Sequence, residues 1–227
     1  IAGPAGRFAL GWGPRRSTVA SKDLSWKYVE DRTVEPDVIR GARAQSLELG
    51  IEPISAATGS QLAVITAALG AEQLIEIGTG VGVSGLWLLH GAPEAQLTSI
   101  DVEADHHEAA RRHFTEAGHP AARVRLITGR AQEVLPRMNE GSYDAVLIDA
   151  DAAAIAEYLE HALRLVRPGG AVLVPHALWR DAVPDPARRD GVTVELRGIL
   201  AELLDSPVVR VAVSPVGDGL LQIVTAR

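Results

Sequence analysis

Seven short apolar runs constrain this chain more than any other feature. They cover residues 74–77, 97–100, 124–127, 145–148, 171–174, 208–213 and 220–224. None shows the in–out alternation of a half-solvated strand, and a strand that is apolar throughout is buried on both faces. Stretches of helical length lie between the first six runs, among them 104–117, 155–166 and 187–204. Strand–helix alternation of this kind predicts a parallel sheet with helices on each side. Only residues 214–219 separate the last two runs, too few for a crossover helix, so an antiparallel hairpin is expected at one edge. The fold class is therefore α/β: a doubly wound, seven-stranded, mostly parallel sheet with an antiparallel C-terminal edge hairpin.

The chain ahead of the sheet has a different texture. Residues 1–21 are rich in Gly, Pro and Arg without a period and read as a flexible arm. Residues 22–70 read as a helical extension. Leu24, Tyr28 and Val29 suggest a short amphipathic helix; Pro36 opens a second that closes at Gly50; a third follows Ser55 and runs to Gly70. Residues 71–227 form the sheet domain, and 22–227 are expected to make one structural unit. A length of 227 residues suits a single domain of ordinary size.

Composition removes several functions. The net charge of −7 argues against sequence-independent nucleic-acid binding, which needs a basic face. With no cysteine, disulfides, thiolate zinc sites and Cys nucleophiles are excluded. No apolar run approaches the length of a membrane span, so a cytoplasmic protein with no membrane or nucleic-acid partner is expected.

The first apolar run leads directly into Glu76-Ile77-Gly78-Thr79-Gly80-Val81-Gly82-Val83-Ser84-Gly85. Glycines after a strand permit a tight turn and a close backbone approach by a ligand, while the following helix offers unpaired N–H groups. About 20 residues later Asp101 ends the second run, where a carboxylate can accept both hydroxyls of a ribose. An adenosine-containing cofactor follows. Gly80-x-Gly82-x-x-Gly85 also satisfies the dinucleotide pattern, which keeps an NAD(P)-dependent oxidoreductase in contention. Glu76, an acid where dinucleotide folds keep apolar strand residues, and the terminal hairpin favour S-adenosylmethionine instead.

At this point the sequence resembles the class I S-adenosylmethionine-dependent methyltransferases, with their Rossmann-like fold. More narrowly, it resembles bacterial small O-methyltransferases related to catechol and caffeoyl-CoA methyltransferases. The resemblance rests on "LIEIGTGVGVSGLWLL", "TSIDVE", "ITGRAQEVLP", "YDAVLIDAD", "YLEHALRLVRPGGAVLV", "ALW" and "GDGLLQIV". It implies that Glu76, Gly78, Gly80 and Gly82 surround the methionine end of the cofactor, and that Ser84 bonds its carboxylate. It implies further that Asp101 and Val102 hold the ribose, that Gly129, Ala131 and Gln132 border the adenine, and that Asp149 lies near the ammonium and sulfonium. A homodimer and a small-molecule acceptor are implied in the same way.

The resemblance breaks at the metal. Divalent-metal members carry Asp at the position of Asp149, a Lys three residues later, and an Asp-Asn pair after the next long strand. Here Ala152 replaces the Lys and Pro175-His176 replaces the pair. Mg²⁺ wants hard oxygen ligands in an octahedron, which one carboxylate and one imidazole supply poorly. The expectation is O-methylation by in-line transfer with no metal site, with His176 as base and Asp149 beside it. Asp151 and Asp181 are weaker candidates, and a transition-metal site from Asp149, Asp151 and His176 ranks lower still. A non-catalytic S-adenosylmethionine-binding or regulatory protein is the alternative from another class.

The remaining features have structural readings. His106-His107-Glu108 starts like a zincin motif, but Arg111 stands where the second His is required. His113 is expected in solvent, Trp87 and Trp26 in the core, and Arg188-Arg189-Asp190 at a solvated helix start. Trp12, like Trp26, is a candidate for a partner-subunit contact or for covering the substrate mouth. The acceptor pocket is expected from the loops around Ile54, 152–157 and 176–185.

Overall fold

A computed structural model describes residues 19–226, with side chains from residue 24. Three helices come first: α1 (Val19–Arg32), α2 (Asp37–Glu48) and α3 (Ala56–Leu69). The alternating body follows with β1 (Gln73–Ile77), α4 (Val83–Gly91), β2 (Gln96–Asp101), α5 (Ala104–Glu116), β3 (Val124–Thr128), α6 (Ala131–Val134) and β4 (Tyr143–Ile148). It ends with α7 (Ile155–Leu165), β5 (Val166–Pro175), α8 (Gly191–Leu204), β6 (Val209–Ser214) and β7 (Leu220–Thr225). The arm expected over 1–21 falls outside the described residues except for its last three, which open α1, and Trp12 also lies outside them.

All seven apolar runs are strands of one sheet, in the order β3-β2-β1-β4-β5-β7-β6. The first five are parallel; β7 runs antiparallel to both β5 and β6. Strand order reverses at β1, whose neighbours are β2 and β4, and open α/β sheets bind ligands at such a switch point. One apolar cluster, around Trp87 and Phe114, packs on one face beneath α2–α5. A second, around Tyr158, Leu159 and Leu196, packs on the other beneath α7 and α8. Gly59 and Gly91 let α3 and α4 approach closely: a Cβ on Gly59 would lie 2.3 Å from the Trp87 ring, and one on Gly91 would lie 2.0 Å from the Ala63 carbonyl.

Local signals placed the helix ends well. Pro36 precedes α2, and Gly50 (φ 73°) follows it. Ser55 caps α3 by accepting the Thr58 N–H, and Gly70 (φ 57°) closes it left-handed. The last helix starts later than expected, at Gly191, because the Asp190 carboxylate caps it through the Thr193 N–H. Four expectations fail. The edge strands β3 and β6 are not buried on both faces, and β6 alternates between half-buried and exposed positions because it lies at the sheet's edge with no described strand on its outer side. Leu24, Tyr28 and Val29 are exposed, so they form no buried apolar face of α1, and Trp26 is only half-buried. Glu30 ties α1 to the body: its carboxylate accepts from Ser55 Oγ (2.6 Å) and the Ala57 N–H (3.2 Å) at the start of α3. His113 is not in solvent; it is half-buried and bonded through Nε2 to Gln45 Oε1 of α2 at 2.7 Å.

Candidate active site

The carboxyl ends of β1, β2 and β4 are held together past the strands themselves. Gly78 N–H donates to Ile100 O (2.8 Å), Asp149 N–H to Ile77 O (2.8 Å) and Gly129 N–H to Asp101 O (2.9 Å). At Gly78 the approach is so close that a Cβ would lie 1.8 Å from the Asp149 carbonyl, and its φ of 93° also favours glycine. These strand ends floor a cavity of about 400 Å³.

Gly78, Gly80, Ser84, Asp101, Val102, Gly129, Ala131, Gln132 and Asp149 all line this cavity. Glu76 and Gly82 do not. Gly82 starts α4 with its α-carbon toward the Phe114 ring, 3.3 Å from where a Cβ would sit. Glu76 is completely buried under the loop, where its two oxygens accept from Ser84 Oγ (2.6 Å) and Ser99 Oγ (2.5 Å). The network continues from Ser99 to Thr79 (2.6 Å), on to His107 Nε2 (3.1 Å), and from His107 Nδ1 to Thr128 (3.0 Å). His107 is thus a strut of the network. Burial pushes Glu76 up to about 8 against the pull of both serines, and its carboxyl braces the loop from below.

Asp101 ties the glycine loop after β1 to the turn after β2. Its Oδ2 accepts the Gly80 N–H at 2.9 Å and its Oδ1 the Glu103 N–H at 3.0 Å. Each carboxylate oxygen keeps a lone pair for a hydroxyl in the cavity. Several wall residues were not assigned to the site from the sequence: Glu52 and Pro53 from the α2–α3 connection, Arg130 near Gln132, Tyr158 of α7, and His106 near Asp101, which was read there only as part of an incomplete zincin motif. Tyr158 donates to Gln132 Oε1 at 3.5 Å. Nothing local marks them; they arrive through packing of helices across strand ends.

Asp149 stands at the boundary between this cavity and a smaller one of about 50 Å³, which it shares with Ala150. The smaller space is walled mainly by Ile148, Ile155, Val174, Pro175, Trp179 and Leu196, and His176 opens onto it. His176 Nε2 lies 3.8 Å from Asp149 Oδ1. Burial pushes Asp149 up to about 6, while a charged His176 pulls it down. A carboxyl of this kind is stabilised in its charged form by a cation beside it. Asp149 caps no helix. Asp151 does, accepting the Ala153 N–H at 3.0 Å, and Asp181 is exposed.

The residues do not fit a divalent metal. Ala152 and Pro175 carry no ligating side-chain atom, and among the described residues no three His, Cys, Asp or Glu side chains are grouped to hold an ion. No step below is routed through one.

The O-methyltransferase family model matches residues 35–225. A relative named as an O-methyltransferase from Mycobacteroides abscessus is 41% identical, covering 86% of this chain and 91% of its own length. Another from Mycobacterium tuberculosis is 38% identical over 86% of this chain and 88% of its own. Among solved structures, a Corynebacterium glutamicum protein superposes with a TM-score of 0.83 at 29% identity, covering 91% of this chain and 98% of that one. The O-methyltransferase TomG of Streptomyces achromogenes, involved in tomaymycin synthesis and solved in complex with SAM, gives a TM-score of 0.79 at 27% identity over 90% of this chain and 96% of that one.

Proposed function

The chain belongs to the O-methyltransferase family of S-adenosylmethionine-dependent enzymes, and from that premise we propose that it methylates an oxygen of a small acceptor held between Asp149 and His176, with His176 as base. The cofactor is S-adenosylmethionine, which supplies a methyl group on a positively charged sulfur. The observation that carries the reading is the junction of the two cavities at Asp149. Asp101 is suited to the ribose hydroxyls, and Gly78 and Gly80 to the methionine end, which Ser84 borders with its hydroxyl proton given to Glu76. Gly129, Ala131 and Gln132 border the space for the adenine, with Val102 beside the ribose. Asp149, its charge costly where it stands, favours the cationic end of the cofactor.

The acceptor's apolar part fits the slot beside Trp179, which brings its hydroxyl to the edge shared by Asp149 and His176. Neutral imidazole takes the hydroxyl proton as the oxygen attacks, while the walls fix the in-line approach. Ala152 stands where metal-dependent relatives carry a Lys, so the base must come from elsewhere, and His176 is the near candidate. A homodimer in the cytoplasm belongs to the same proposal, carried by the family resemblance. The exposed Leu24 and Tyr28 of α1 offer apolar side chains to a second copy, and sedimentation velocity tests it.

Calorimetric titration with S-adenosylhomocysteine, with Mg²⁺ or with EDTA, is the first test. Binding indifferent to both supports the cofactor site, and no binding refutes it. An acceptor screen in EDTA, with His176→Ala as control, tests the chemistry. Turnover that EDTA abolishes and Mg²⁺ restores would overturn the metal-free part of the reading.

A further inference from the structure

The turn between β6 and β7 brings a second carboxylate to His176. Asp218 Oδ2 lies 3.4 Å from His176 Nδ1, on the opposite side of the ring from Asp149. Asp218 Oδ1 accepts the Arg180 backbone N–H at 2.6 Å. The two loops are also stitched by their backbones, with Leu178 N–H donating to Asp218 O (2.9 Å) and Ala177 N–H to Gly219 O (3.1 Å). His176 itself adopts φ 58°, a left-handed conformation that a histidine holds only when its surroundings enforce it. Gly219 makes the contact possible, since a Cβ there would lie 2.5 Å from Leu178 Cγ.

We propose that Asp218 is a positioning residue for methyl transfer: it accepts the Nδ1–H of His176 and so leaves the Nε2 lone pair facing the acceptor. The inference rests on the reading of His176 as base. In the step itself, the acceptor oxygen bonds to the methyl carbon and the carbon–sulfur bond breaks with its electron pair left on sulfur. The hydroxyl proton passes to Nε2 and later to water. The imidazolium formed is then flanked by Asp149 from the end of β4 and Asp218 from the β6–β7 turn. On its own segment, the Arg180 guanidinium is turned away to Glu52, and Asp181 is exposed. A carboxylate holding the far nitrogen of a base is the usual way to choose its tautomer, which decides whether the near nitrogen can accept a proton at all.

Two-bond ¹H–¹⁵N correlation on ¹⁵N-histidine-labelled protein with S-adenosylhomocysteine reads the tautomer, the His176 signal being assigned by its loss in His176→Gln. The wild type is expected as Nδ1–H. Asp218→Ala should turn it to Nε2–H. Asp218→Asn, whose side-chain oxygen still accepts, should keep it and hold S-adenosylhomocysteine affinity within about twofold, which separates tautomer control from collapse of the loop. An Nε2–H wild type, or an Asp218→Ala variant that stays Nδ1–H, overturns the proposal. With phenol, which stays protonated at neutral pH, as the acceptor probe, Asp218→Ala should lower kcat about 100-fold with little change in KM. It should add nothing to His176→Ala, because the two act as one unit. Full activity in His176→Ala would end the base reading while leaving the tautomer assignment intact, so the two failures are distinguishable.

Discussion

Asp101 Oδ2 accepts the backbone N–H of Gly80 at 2.9 Å, so the acid that ends β2 also fixes the glycine loop that follows β1. One side chain therefore serves the scaffold and the proposed ribose contact together. Hydrogen bonds to a charged group contribute about 1.5–3 kcal/mol each, and a tenfold change in affinity corresponds to about 1.4 kcal/mol. Asp101→Ala is expected to weaken S-adenosylhomocysteine binding by roughly 10–100-fold on this basis. Calorimetry checks it, and unchanged affinity would refute the ribose assignment.

Glu76 links stability to pH. Its carboxyl is raised to about 8 in the fold from an ordinary 4.5. Between those values the folded state holds a proton that the unfolded state has lost, so stability falls as pH rises from 4.5 to 8 and levels off above. Glu76→Gln cannot ionise and should remove this component. Thermal melts of both proteins from pH 5 to 9 should show a shallower decline in the variant, and parallel curves would contradict the assignment.

Asp144 behaves in the opposite sense. Its Oδ2 accepts the Glu72 and Gln73 N–H groups at 2.7 and 2.8 Å, and its Oδ1 accepts from Arg167 Nε at 2.5 Å. Burial alone would raise it, but these partners outweigh burial and hold it below the usual carboxylate range. The stabilisation is present at neutral pH and is lost as acid titrates the folded group. Asp144→Ala strands two backbone donors at the start of β1 and should cost about 1–3 kcal/mol. A fall in Tm of about 2–4 °C per kcal/mol would report it.

Gly78→Ala tests the close approach of β1 and β4. Its Cβ would meet the Asp149 carbonyl at 1.8 Å, a backbone obstacle that cannot rotate aside. The variant should lose S-adenosylhomocysteine binding together with several degrees of Tm. Wild-type affinity and melting would show that the strand ends are not as tightly joined as the geometry requires.

Local chemistry determined much of this protein from sequence. Apolar runs marked all seven strands, and the inner ones are largely buried because helices cover both faces of the sheet, whereas the edge strands β3 and β6 are partly exposed; Ser55 and Gly70 likewise marked the ends of a helix. The glycine loop and Asp101 were legible because strand ends in such a sheet converge at the switch point. Side-chain direction was not. Glu76 turns down to Ser84 and Ser99 instead of into the cavity; His113 finds Gln45, while Leu24 and Tyr28 stay exposed, Tyr28 beneath the Arg32 guanidinium. Asp218 meets His176 from 42 residues away. These outcomes depend on which strands pair and how helices settle across them, and contacts between distant segments form only once the whole sheet has closed its order.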